Sequence, residues 1–187
     1  AERIRKYTNY IEKKKLEVAT ERQEELDSLN EMYCNVQQDI DTAMHFDRRL
    51  FEKTREDEDF LHIYLGQGTI ASSRPIDYKK QERLEVGDEL TEMPEKIYQL
   101  FEHIDGAPIC SDMKDSNAIG IVGTKEALYG MFKNIVIDIA VRHYYGDVRL
   151  YMLVDDEKRY QWARFLPHLM NAGGIRNIVF DNESKNN

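Results

Sequence analysis

Apolar positions along the first third of the chain are sparse and set at helical spacing. Residues 1–32 contain no Gly or Pro and are dense in Glu, Lys, Arg and Gln, which predicts one long helix. Ile4, Ile11, Val18 and Met32 stand at sevenfold intervals, but Glu25 interrupts the series and the companion positions Lys14 and Glu21 are charged. A stalk leaning on the domain that follows is therefore predicted rather than a sustained coiled coil. Val36 and Ile40, with Met44 and Phe46, predict a second, shorter helix after a break near Asn35. Phe60-Leu61-His62-Ile63-Tyr64-Leu65 alternates like a strand and runs into Gly66-Gln67-Gly68, read as a turn. Residues 69–90 read as irregular. Ile97, Leu100, Phe101 and Ile104 give one apolar face to a helix that Pro94 can open and Gly106 can close, and Pro108-Ile109-Cys110 reads as a short strand.

In the second half, strand-like and helix-like patterns alternate. Ile119-Gly120-Ile121-Val122 predicts a strand, followed by a helix from Thr124 to about Tyr144 that buries Leu128, Met131, Phe132, Ile135 and Ile139. Leu150 to Val154 predicts a second strand. A helix from about Lys158 to His168 presents Trp162, Phe165 and Leu166, Gly173-Gly174 stops it, and Ile175 to Phe180 gives a last strand. Such alternation implies parallel pairing through right-handed crossovers. The fold class expected is α/β, with a mostly parallel sheet flanked by helices and an N-terminal helical stalk. Its expected core is Leu61, Ile63, Ile121, Val122, Phe132, Ile135, Leu153, Trp162, Phe165 and Leu166. The expected organisation is a stalk over 1–34, an α/β domain over 35–181 and a flexible tail or linker over 182–187.

Charge sharpens this picture. The 187 residues carry a net charge of −9, which argues against nucleic-acid binding, because affinity for phosphate backbones comes mostly from lysine and arginine. Residues 1–15 hold six basic and two acidic side chains, a local charge of +4, so the remainder stands at −13. A basic cluster of this kind suits the cytoplasmic flank of a membrane helix, although a solvated helix face is an equal reading. No apolar run reaches the ~18–20 residues needed to cross a bilayer. The chain starts at Ala1 with neither a methionine nor a signal-peptide pattern, and it is read as a piece of a longer protein. Two cysteines, Cys34 and Cys110, are too few for a disulfide framework and suit a reducing compartment.

The Ala118–Asp156 stretch has the outline of a P-loop nucleotide site with its phosphate loop missing. Gly123 is followed at once by Thr124-Lys125-Glu126, whereas a Gly-x-x-x-x-Gly-Lys-Ser/Thr turn must wrap several backbone amides around the phosphates. Thr124 is placed to cap the helix, and Glu126 in its first turn would repel an incoming phosphate. Asp155 and Asp156, after an apolar strand, resemble a magnesium-binding terminus but equally a helix cap. Gly123, Thr124, Lys125, Asp155 and Asp156 thus mark a degenerate nucleotide position; no catalytic residue, metal site or resident cofactor is expected. His45, His62, His103, His143 and His168 lack ligand spacing, and no Gly-x-Ser-x-Gly elbow is present.

Three stretches carry a resemblance: Arg49-Leu50-Phe51-Glu52; Glu58-Asp59-Phe60-Leu61 leading to Leu65-Gly66-Gln67-Gly68; and Trp162-Ala163-Arg164-Phe165-Leu166-Pro167-His168. They resemble the cytoplasmic domain that precedes the first motor domain of the FtsK/SpoIIIE-type membrane ATPases of type VII secretion, the EssC/EccC/YukB group. Phe51 and Phe165 stand where that family usually has tryptophan, and Glu58 where it has proline. The resemblance implies a degenerate, ATPase-like domain of a bacterial plasma-membrane protein, facing the cytoplasm, with membrane segments before the stalk and true ATPase domains after it. It also implies a hexameric machine, secretion-channel membrane subunits as partners, and neither nucleic acid nor a small-molecule substrate. The expected role is non-hydrolysing coupling. The alternative is nucleotide binding or weak hydrolysis at an unusual site, with ATP and magnesium, and a DNA-translocase module comes third.

Overall fold

A computed structural model of the chain describes residues 2–79, 89–116 and 118–180. The chain divides into two compact units, Ala1–Tyr33 with Gly66–Ile109 and Cys34–Leu65 with Cys110–Asn187. Both are discontinuous in sequence.

In the first unit, α1 spans Glu2–Met32 and packs against α3, Glu89–Phe101. The exposed face of α1 is laced by pairs one turn apart, such as Lys6 with Glu2 at 2.9 Å and Gln23 with Asp27 at 2.8 Å. Its buried positions are Ile11, Arg22 and Glu25. Glu25, which breaks the heptad, is thus an inward-facing residue. It accepts from the Ser72 hydroxyl (2.6 Å) and from both the hydroxyl and the amide of Ser73 (2.7 Å each). Arg22 beside it donates to the carbonyls of Phe101 and Arg74, each at 2.8 Å. A buried carboxylate and guanidinium are tolerated because neighbouring groups satisfy them.

β1 (His62–Ala71) pairs with β2 (His103–Asp112), and the rungs Met113 N–H to Leu61 carbonyl and Ser72 N–H to Glu102 carbonyl give an antiparallel register. The expected turn at Gly66-Gln67-Gly68 is instead strand. A Cβ on Gly68 would lie 3.1 Å from Ile109 Cγ1, so glycine there admits a neighbour rather than reversing the chain. Pro94 lies inside α3 rather than at its start, and Gly106 lies within β2 at φ 71° rather than closing the helix. Part of the stretch read as irregular, and the tail from Asn182, lie outside the described residues.

In the second unit, α2 spans Val36–His45 and packs against α4, Lys125–Arg142. Asn35 caps α2 through a full capping box with Gln38, which explains the break read there. Among the described residues the only parallel ladder is β3 (Met152–Leu153) with β4 (Ile178–Val179), register Met152 to Ile178 and Leu153 to Val179. The expected mostly parallel sheet is therefore replaced by two two-stranded pairs. Ile119–Val122 is not a strand. Gly120 weakens its strand propensity, no described strand pairs with it, and Val122 is 99% exposed. Leu150 bonds to the His168 carbonyl instead of extending the ladder.

The expected Lys158–His168 helix is broken into α5 (Glu157–Tyr160) and two 3₁₀ turns, Gln161–Phe165 and Pro167–Leu169. Pro167 forces Leu166 to ψ 125°, out of the helical region. Phe165 is consequently 83% exposed, and Leu153 is 84% exposed on the open face of β3. Of the expected core, Ile63 is buried; Leu61, Ile121, Phe132, Ile135, Trp162 and Leu166 are half-buried. The core beside the parallel pair is Met152, Ala163, Leu169 and Ile178.

Candidate functional site

The residues marked by the sequence as a nucleotide position lie on the surface of the second unit. Thr124 caps α4, its hydroxyl accepting from the Ala127 amide at 3.4 Å. Lys125 Nζ stands 3.6 Å from Asp155 Oδ2, with the two side chains 65% and 71% exposed. Asp156 caps α5 by accepting from the Arg159 amide at 3.2 Å. Gly123 is exposed, with the side chains of Ala127 and Leu128 as the nearest atoms to an added Cβ. Lys125 and Asp155 are thus brought together, whereas Thr124 and Asp156 each serve their own helix. Lysine beside carboxylate is the pair that triphosphate and magnesium would separate, but the backbone around them supplies one capped helix end rather than an encircling loop. No group of His, Cys, Asp and Glu suited to a metal occurs among the described residues.

A second and denser assembly forms at the C-terminal end of α4, where the three stretches that carried the resemblance converge. The Phe51 and Lys53 amides donate to the Val141 and Arg142 carbonyls at 2.8 and 2.9 Å. The Phe51 ring stands edge-on to Tyr144 and Tyr145, and tilted against His168. Phe60 packs edge-on against His143 at 5.3 Å between centroids, and the Leu61 amide donates to His143 Nε2 at 3.0 Å. From the third stretch, His168 Nε2 donates to the His143 carbonyl at 2.7 Å. Phe51 and Leu61 adopt left-handed backbone angles, φ 61° and 63°, which non-glycine residues hold only when their surroundings dictate it.

Electrostatics single out the same place. Arg142, nearly buried, forms an ion pair with Glu52 through Nη2, while its Nη1 lies 3.9 Å from Asp39. Lys53 pairs with Asp59. Asp138, one turn before Arg142, accepts from the Tyr64 amide at 3.3 Å. Burial pushes the Asp39 carboxyl up to about 6, against the pull of Arg142 and Arg49. Burial, with Asp39 as a like charge, raises Asp138 to about 7. Burial also lowers His143 to about 4, holds His168 below its ordinary range, lowers Lys53, and pushes the Cys110 thiol up to about 12. Because His143 Nε2 accepts from Leu61, Nδ1 carries its proton and points to the Ile139 carbonyl, which fixes a neutral tautomer.

Sequence reading missed Asp39, Asp138, Arg142 and His143. The signal was present in the apolar stripe of α4: Asp138 and Arg142 fall at helical spacing with Ile135 and Ile139, on the inward face. A charge on such a face marks a buried network.

Chemically, the arrangement is an internal charge-and-histidine knot tying the 49–61 segment, the end of α4 and the 162–168 turns together. No family model matches the chain. Across 186 residues, 98% of its length, it is 27% identical to the type VII secretion system protein EssC of Staphylococcus aureus strains MSSA476 and NCTC 8325. Over 185 residues, 97% of its length, it is 28% identical to the ESX secretion system protein EccC of Geobacillus thermodenitrificans. The chain is homologous to these proteins nearly end to end, and it spans about 12% of their length.

Proposed function

We propose that this chain is a non-hydrolysing coupling domain of a membrane-anchored type VII secretion ATPase. End-to-end homology to EssC and EccC supports the secretion role. The observation that carries the non-hydrolysing reading is the surface pairing of Lys125 with Asp155 beside a helix end already capped by Thr124. In this reading residues 1–34 form a stalk below a membrane segment, residues 35–181 the degenerate ATPase-like domain, and residues 182–187 a linker. Its partners are ATPase domains of the same longer polypeptide and secretion-channel membrane subunits, in a hexamer at the cytoplasmic face of the bacterial plasma membrane. Among the described residues no helix is long and apolar enough to cross a membrane. Gly123, Thr124, Lys125, Asp155 and Asp156 then mark a nucleotide position without function.

The proximity of Lys125 to Asp155 favours one rival, in which ATP and magnesium occupy this position and are slowly hydrolysed. A thermal-shift titration with ATP and magnesium distinguishes the two. Ligand at a hundred times its dissociation constant would add about 2.7 kcal/mol, a rise of several degrees in a chain of this size. Coupling without nucleotide binding expects no rise at millimolar ATP. A saturable rise that Lys125→Ala and Asp155→Ala both abolish would replace it with the rival reading.

A further inference from the structure

The α2–α4 junction contains a buried acid that no hydrogen bond among the described residues satisfies. Asp39 is 0% exposed, and neither of its carboxylate oxygens has a hydrogen-bond partner among the described residues. Its nearest counter-charge, Arg142 Nη1, is 3.9 Å away, beyond hydrogen-bond reach, and the same guanidinium is engaged by Glu52. An ionised carboxylate in that position would exchange its water for one long ion pair and no hydrogen bond, which leaves most of the desolvation penalty standing.

The charges facing it do not balance. From α2 comes Asp39. The 49–53 segment brings Arg49, Glu52 and Lys53, with Asp59 on Lys53. From α4 come Asp138, Arg142 and the neutral His143, and from β1 and β2 the Tyr64 amide and the un-ionised Cys110 thiol. Four carboxyls thus face three bases, and one proton neutralises the set. The two acids best placed to hold it are those without a full ion pair, Asp39 and Asp138.

We propose that α2 and α4 are joined by a proton latch, in which one proton retained by Asp39 and Asp138 keeps the helices docked and its loss loosens α2 from α4. Direction follows from linkage. Both acids titrate higher in the fold than in the unfolded chain, so the stability they confer is complete below about pH 4 and is lost as pH rises through about 6 to 7. Near neutrality the latch is half-drawn, and a partner that brings a cation to Asp39 or admits water to it would release α2 without any change in bulk pH. The device is independent of whether nucleotide binds at Lys125.

Amide hydrogen exchange of the whole 187-residue chain at about pH 5.5 and about pH 8, corrected for intrinsic rates, tests it. Protection of the α2 amides is expected to fall by roughly tenfold or more at the higher pH, since each unit of carboxyl shift is a factor of ten. Asp39→Asn and Asp138→Asn mimic the protonated acids and should each flatten this dependence. Unchanged α2 protection across the range in the wild type would overturn the latch, as would a pH dependence that survives both substitutions. Should a variant fail to fold, carboxyl titration of the wild type by infrared or carbon NMR decides. Release of a carboxyl proton between about pH 5.5 and 7.5 upholds the proposal, and all carboxyls titrating below about pH 5 reject it.

Discussion

Arg142 is the residue on which most of the second unit's buried charge depends. It answers Glu52 directly and is the nearest cation to Asp39, so its removal strands two acids at once. Breaking a buried pair from one side costs about 3–5 kcal/mol, whereas an exposed pair contributes about 0–1 kcal/mol. Arg142→Ala should therefore lower the urea midpoint steeply and Lys125→Ala should leave it almost unmoved; equal effects would mean that the knot is better solvated than its geometry indicates. The histidines set the acid side. His143 and His168 are fully buried and neutral, and burial depresses both, so the stability their neutral forms confer is intact above about pH 6.5. It is lost as pH falls towards about 4, the value for His143. The thermal midpoint should drop across that window, and His143→Leu, though costly at neutral pH through loss of the Leu61 hydrogen bond, should make the drop shallower.

At the scale of elements, α1 shows why a pattern of residue types reads only part of a fold. Its existence and length were legible because helix-forming residues run unbroken from Glu2 to Met32. The break at Asn35 was legible from its apolar spacing, and the cap chemistry accounts for it. The meaning of Glu25 was not, because its partners Ser72 and Ser73 lie 47 and 48 residues away, and periodicity carries no long-range information. The same blindness affected the second half. Tertiary pairing decided that the glycines after Leu65 belong to β1, and its absence among the described strands, with Gly120 weakening the local preference, leaves Ile119–Val122 irregular. Pro167 was a local signal that the apolar spacing of Trp162, Phe165 and Leu166 masked. Two residues of the heptad series test the distinction. Glu25→Ala removes a buried acceptor of four hydrogen bonds, one of them from Arg22, and should cost about 3 kcal/mol, charged hydrogen bonds contributing about 1.5–3 kcal/mol each with losses that overlap. Met32→Ala, at an exposed position, should stay within about 0.5 kcal/mol by denaturant unfolding. The reverse order would restore the heptad as the determinant of α1.

For the whole molecule, the candidate site legible in the sequence and the one built by the fold are different places, and under the proposed secretion role they have different consequences. Gly123, Thr124, Lys125, Asp155 and Asp156 could be picked out because nucleotide chemistry has a local signature. The knot around His143 could not, since its members are contributed by segments separated by up to about a hundred residues and have no motif of their own. On that proposal, the two sites predict opposite phenotypes in a full-length secretion protein of the EssC and EccC kind. If the domain relays motion without nucleotide, Lys125→Ala should leave export within about twofold of wild type, because it disturbs only a surface ion pair. Arg142→Ala should depress export in step with the folded fraction, since a loss of about 3–5 kcal/mol consumes much of the roughly 5–15 kcal/mol that holds a domain together. Measuring export beside the steady-state amount of the protein separates the mechanisms. Export that collapses in Lys125→Ala at undiminished protein level would move function to the surface pair and bring nucleotide back into the mechanism.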